Sequence, residues 1–229
     1  MVKAVIFDVD GTLIDSVDLH AQAWVDALHD FGFDPPFADV RAQIGKGADQ
    51  LMPVFLSPGQ LAEMGEKLEK HRSEVMKERY LPRIKAFPRV RELFQRLKDD
   101  GIQVALASSA KADELEVYKK EAGIEDLVDT ETSSDDAKKS KPHPDIFNAA
   151  LDRLEGIDPA DILVVGDTPY DAEAAAKAGL RTVGVLCGGF PEDGLRAAGC
   201  VAIYRDPADL LARYEQSPLV QPDGVGGVA

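Results

Sequence analysis

Two aspartates stand at i and i+2 just past a short apolar run, in Ala4-Val5-Ile6-Phe7-Asp8-Val9-Asp10-Gly11-Thr12. The run is long enough for a buried strand, and Gly11 lets the chain turn without steric cost. Alternate side chains of a strand share a face, so Asp8 and Asp10 are expected to project together from its tip. Neighbouring carboxylates repel unless something positive lies beside them, so the tip reads as a cation-dependent active site. Three later stretches bring polar chemistry to the same kind of place. Ser108 and Ser109 follow the apolar run Gln103 to Ala107, Lys141 sits in Ser140-Lys141-Pro142-His143-Pro144, and Asp167, with Asp171 four residues on, follows Ile162-Leu163-Val164-Val165-Gly166.

The elements that must position these groups follow from periodicity. Apolar residues at Val17, Ala21, Trp24, Leu28 and Phe31 form a helical stripe that stops at Gly32. A short helical piece to Ile44 follows, then a flexible loop, Gly45-Lys46-Gly47, with one cation. Ser57-Pro58-Gly59-Gln60 starts a helix with a capping serine, proline in the first turn and glutamine three residues after the cap. That helix is expected to reach Tyr80, and no strand is expected between Asp15 and Arg83. Beyond Pro82 the pattern changes to apolar strands alternating with amphipathic helices, which predicts a parallel sheet covered on both faces. The chain thus divides into an α/β core of residues 1–14 and 83–217, an inserted all-helical unit of residues 15–82, and a tail of residues 218–229 expected to be flexible.

Composition narrows the partners. The 229 residues carry 26 Lys plus Arg against 41 Asp plus Glu, a net charge of −15, which argues against nucleic acid or an anionic membrane surface. No apolar stretch reaches membrane-spanning length, and the opening one is broken at Asp8, too short for a secretory signal. The two cysteines, Cys187 and Cys200, have neither metal-ligand spacing nor a disulfide framework, which fits a reduced, cytoplasmic setting.

In their order, Asp8-Val9-Asp10-Gly11-Thr12, Ser108, Lys141-Pro142 and Gly166-Asp167-Thr168-Pro169-Tyr170-Asp171 resemble the four motifs of the haloacid dehalogenase superfamily. The resemblance spans Ala4 to about Tyr214, and the helical unit is similar to the cap of that superfamily's first subfamily. It implies a doubly wound, Rossmann-like core and an aspartyl-phosphate mechanism with Mg²⁺. Asp8 would be the nucleophile, and Asp10 the general acid and base, its pKa raised by a neighbouring carboxylate and partial burial. Mg²⁺ would be held by Asp8, the backbone carbonyl of Asp10 and Asp167, with Asp171 orienting that shell. Ser108 and Ser109 would bind the phosphoryl oxygens, and Lys141 would neutralise developing charge.

Charge counting gives that set an independent rationale. A phosphate monoester dianion with Asp8, Asp167 and Asp171 ionised brings about five negative charges, against about three from Lys141 and one Mg²⁺, with backbone N–H groups left to offset the rest. The expected substrate is a small phosphorylated metabolite of the phosphoglycolate or sugar phosphate type, turned over by a monomer or a homodimer. In the cap, His20, Trp24 and Lys46 match positions resembling those in β-phosphoglucomutase-like proteins, although Trp24 as core and His20 as its satisfied neighbour is an equal alternative. Asp49 stands where mutases tend to carry a cation, and the fourth motif reads as in the phosphatase branch; a phosphomutase is therefore the second choice, and a non-catalytic ligand-binding member of the fold the third.

Overall fold

The computed structural model describes residues 2–221. Its frame is a six-stranded, all-parallel sheet built from β1 (Ala4–Phe7), β4 (Gln103–Ala107), β5 (Thr130–Thr132), β6 (Ile162–Gly166), β7 (Arg181–Val185) and β8 (Ala202–Tyr204), in the spatial order β5-β4-β1-β6-β7-β8. Two further strands, β2 (Ile14–Asp15) and β3 (Lys85–Ala86), pair antiparallel as a short ribbon. The helices, in chain order, are α1 (Val17–Asp30), α2 (Phe37–Arg41), α3 (Ala48–Phe55), α4 (Pro58–Val75), α5 (Val90–Asp99), α6 (Ala112–Ala122), α7 (Asp145–Arg153), α8 (Pro169–Lys177), α9 (Glu192–Ala197) and α10 (Pro207–Ala212).

Alternation along the strands divides the core. Val5 and Phe7 of β1, with Val104 and Leu106 of β4, pack under α5 and α6, where Phe7 and Phe94 stack with ring centroids 4.7 Å apart. Ala4 and Ile6, with Ala105 and Ala107, face the other way against Ile146 and Phe147 of α7 and Ala174 and Ala175 of α8. Each fully buried Leu or Phe stabilises this three-layer packing by about 1.5–3 kcal/mol. Because β1 is flanked by β4 on one side and β6 on the other, strand order reverses around it. The carboxyl ends of β1, β4 and β6 therefore border the crevice where open parallel sheets bind ligands.

The helical unit has its own core: Val17, Trp24 and Leu28 of α1 meet Val40 of α2, Leu51 of α3 and Leu68 of α4. The expected cap at Ser57 forms as a full capping box with Gln60. Four expectations need correction. Helix α3 was not anticipated, because Pro53 interrupts its apolar pattern. The β2–β3 ribbon lies at the two junctions with the helical unit, and two-residue strands are too short for periodicity to reveal. The helix through Tyr80 ends its regular part at Val75 and continues as a wider π turn over Met76–Tyr80. Of the tail, residues 222–229 lie outside the described residues, whereas Leu219 is fully buried against the α5 side of the core, so the folded unit runs past residue 217. Among the described residues no helix is long and apolar enough to cross a membrane.

Candidate active site

Strand β1 delivers Asp8 one residue past its last paired position, with the Asp8 backbone N–H donating to the Val165 carbonyl at 2.9 Å. Gly11 then turns the chain at φ +81°, and Thr12 folds back so that its hydroxyl lies 3.2 Å from Asp8 Oδ2 and 3.0 Å from Asp167 Oδ1. Asp167 follows β6, and Asp171 sits in the first turn of α8, where its carboxylate and Thr168 close a capping box. The Lys141 ammonium arrives from the opposite side. It is 1% exposed and lies 2.5 Å from Asp8 Oδ1, 2.8 Å from Asp171 Oδ1 and 3.2 Å from the Ala107 carbonyl at the end of β4. Four residues distant in sequence are thus joined by the topology of the sheet.

The electrostatics follow from crowding three buried acids around one lysine. Burial pushes the Asp8 carboxyl up to about 7 despite the Lys141 charge beside it. Burial and the charges of Asp171 and Asp8 raise Asp167 well above the usual carboxylate range. For Lys141 burial works against the charged form, but Asp171 and Asp8 outweigh it and hold the ammonium protonated. One carboxylate oxygen from each of Asp8, Asp167 and Asp171 lies within 4.8 Å of the other two, and Asp167 Oδ2 is buried without a hydrogen-bond partner. An orphaned oxygen in a cluster of hard anionic donors is the arrangement a divalent cation such as Mg²⁺ fits.

Asp10 is different, and the expectation of a raised pKa needs correction. Burial does push it upward, but the His20 imidazole, hydrogen bonds from His20 and Ser16, and the Arg72 charge prevail and hold it below the usual range. Its Oδ1 accepts from Ser16 Oγ at 2.6 Å and from His20 Nε2 at 2.8 Å. An Arg72 N–H lies 2.9 Å from His20 Nδ1, which must accept, leaving Nε2 to carry the proton towards Asp10. Tyr118 of α6 closes the group with its hydroxyl 3.0 Å from His20 Nε2. The Asp10 side chain therefore stands apart from the carboxylate cluster, within a shell of donors.

The remaining expected residues divide. Ser109 lines the cavity above Asp8 and Asp10, whereas Ser108 is fully buried and its hydroxyl accepts from the Ala110 N–H at 3.0 Å, capping the turn into α6. His20 and Trp24 line the cavity and are also buried, Trp24 within the helical core and under the Arg72 guanidinium at 5.2 Å. The two alternatives for these residues are not exclusive. Lys46 reaches the cavity, with its ammonium 2.6 Å from Gln43 Oε1 and over the Tyr170 ring. Asp49 binds the Ser140 N–H at 3.3 Å across the boundary between helical unit and core.

Sequence reasoning missed Arg72, Tyr118 and Gly188. Arg72 and Tyr118 read as ordinary helix residues, and only packing of α4 and α6 against α1 makes them neighbours of Asp10. Gly188 lay in a glycine-containing loop, and a Cβ there would come within 1.6 Å of Asp167 Oδ2. The cavity between the helical unit and the carboxyl ends of the sheet measures about 410 Å³.

The haloacid dehalogenase-like hydrolase family model matches residues 5–185. A phosphoglycolate phosphatase of Nitrosospira multiformis is 32% identical, with 96% of each chain aligned, and a phosphorylated carbohydrates phosphatase of Thermotoga maritima is 29% identical over 91% of this chain and 96% of its own. A hydrolase from Pseudomonas syringae superposes with a TM-score of 0.83 at 29% identity, covering 93% of this chain and 97% of that one. With its motifs gathered at the strand ends and a family match over most of its length, the chain belongs to the haloacid dehalogenase-like hydrolases.

Proposed function

We propose that this protein is a Mg²⁺-dependent phosphatase that hydrolyses a small phosphorylated metabolite through an aspartyl-phosphate intermediate. The observation that carries the reading is the unequal treatment of the two acids after β1. Asp8 is gripped by Lys141 inside a buried carboxylate cluster, while Asp10 stands two residues away among donors.

Asp8 attacks phosphorus, forming a bond from its carboxylate oxygen as the ester P–O bond breaks. Asp10 gives a proton to the departing alkoxide, then takes one from the water that cleaves the aspartyl phosphate. His20, Ser16 and Arg72 favour the ionised Asp10 side chain, the form that has room for a proton in the second step. For the first, an arriving phosphate dianion adds negative charge beside Asp10 and draws a proton onto it. Lys141 holds Asp8 in position and offsets charge as it develops, and Ser109, which lines the cavity after β4, would face the phosphoryl group together with the backbone of the turn into α6. Asp8, Asp167 and the backbone carbonyl of Asp10 would hold Mg²⁺, with Asp171 outside that set. The ion when bound neutralises charge on the phosphoryl oxygens. The helical unit acts as the cap that keeps bulk water from the intermediate.

The mutase alternative is disfavoured by Asp49, an acid tied to the Ser140 N–H where a second phosphate would need a cation. The test is Asp8→Asn, which keeps the shape of the side chain. Phosphate release from p-nitrophenyl phosphate with Mg²⁺ is expected to fall at least ~10³-fold with the melting temperature retained. Undiminished Mg²⁺-dependent release in the variant rules the mechanism out.

A further inference from the structure

Glu114 is a buried acid that the chemistry above does not use. It stands in the first turn of α6, is 1% exposed, and lines the cavity near Asp10, yet both of its carboxylate oxygens lack a hydrogen-bond partner. A helix N-terminus favours an acid in its first turn, but that preference is met just as well in solvent and explains neither the burial nor the missing donors. Leaving both oxygens without a donor is costly, because burial removes their water without replacing it. Neighbouring donors are committed elsewhere. Lys77, which feels the Glu114 charge, gives its ammonium to Asp113 at 2.6 Å, and Tyr118, one turn along the same helix, faces His20.

A second residue lining the same cavity is also incompletely paired. Arg72 binds His20 through one terminal nitrogen and lies over Trp24, but its Nε–H is buried without an acceptor. The residues lining the cavity thus include one with two unfilled acceptors and one with an unfilled donor. Both residues line the cavity that also holds Asp8 and Asp10, into which the leaving group of a phosphate ester bound at Asp8 would project.

Resting on the phosphatase reading, we infer that Glu114 is a specificity-determining residue, and that with Arg72 it selects a phosphorylated polyol, a leaving group bearing neutral hydroxyls, over one bearing a carboxylate. A hydroxyl can donate to Glu114 and accept from Arg72, satisfying both. A ligand carboxylate has no proton to give and brings a second negative charge towards a buried one. The cavity has room for a sugar-sized leaving group.

The test compares kcat/KM for glucose 6-phosphate, ribose 5-phosphate and glycerol 3-phosphate with that for phosphoglycolate, in wild type and in Glu114→Gln, with melting temperature as the check on folding. In wild type at least one polyol phosphate is expected to exceed phosphoglycolate by about tenfold or more, the scale of a hydrogen bond to a charged group. In Glu114→Gln that ratio is expected to fall about tenfold, chiefly through KM, as the charge is lost and the shape kept. A wild type that prefers phosphoglycolate overturns the inference whether or not the variant folds, as does a folded variant with an unchanged ratio. No release from any ester, p-nitrophenyl phosphate included, overturns the phosphatase reading and this inference with it.

Discussion

Asp167 shows how tightly single residues are specified around the carboxylate cluster. Its Oδ2 lies against two glycines, and a Cβ added at Gly11 or Gly188 would sit 2.4 Å or 1.6 Å from it, far inside van der Waals contact. Gly188 has no positive φ, so the reason for glycine there is space and not backbone conformation. Gly188→Ala is therefore expected to push the Asp167 side chain aside. Weakening of Mg²⁺ affinity by about 10- to 100-fold, the usual scale for a disturbed ligand shell, is the expected result, with the fold intact. Titrating Mg²⁺ against activity reads this directly, and an unaltered half-saturation would show that Asp167 is not a ligand. Asp8 and Asp10, two residues apart, illustrate the same point for charge: one carboxyl rises to about 7 and the other drops below its usual range, because burial wins at Asp8 and donors win at Asp10.

At the level of elements, α5 and α6 flank the β1–β4 half of the sheet and are linked at the surface by Arg91 of α5 and Asp126, in the loop after α6. Both Arg91 nitrogens reach the Asp126 carboxylate, at 2.6 and 2.8 Å, and Arg91 also bonds the Gly123 carbonyl that ends α6. The Arg91 hydrogen bonds hold Asp126 at about 2, below its ordinary value. A carboxyl lowered on folding adds stability above its unfolded pKa and loses it as pH falls through the folded one. The melting temperature of wild type is thus expected to exceed that of Asp126→Asn by a constant small margin above about pH 5, shrinking as pH falls through about 2 and reaching nothing near pH 1. An undiminished margin at about pH 2 would assign the stabilisation to something other than the ion pair.

Over the whole molecule, burying three acids beside one lysine stores repulsion in the fold. A cation that binds only the folded cluster relieves it, so Mg²⁺ is expected to raise the melting temperature. At a hundred times Kd the gain is about 2.7 kcal/mol, on the order of 5–10 °C for a chain of 229 residues. Scanning calorimetry with and without Mg²⁺ checks this, and Asp167→Asn is expected to abolish most of the shift. The helical unit meets the core at several polar contacts besides: Arg41 donates to the Gly188 carbonyl at 3.0 Å, and Tyr170 to the Ala42 carbonyl at 2.8 Å.

The sequence by itself determined the strand-end residues and the alternation of strands and helices, because a carboxyl-terminal strand tip and an amphipathic stripe are local patterns. Asp8 and Asp167 could be named for that reason and the parallel sheet inferred, whereas Lys141, in a loop before α7, and Asp171, in α8, were named through the resemblance of the ordered motifs. Elements too short or too broken for periodicity, the β2–β3 ribbon and α3 with its proline, were not legible. Nor was the direction of the Asp10 shift, which depends on hydrogen bonds from Ser16 and from His20 of α1 and on the charge of Arg72 of α4. Only the tertiary structure decided that His20, Arg72 and Tyr118 form one hydrogen-bonded group, that Ser108 is a buried cap while Ser109 faces the cavity, and that Glu114 is left without a donor. The physical reason is the same in each case: burial and partners are properties of packing between distant segments, and no local spacing encodes them.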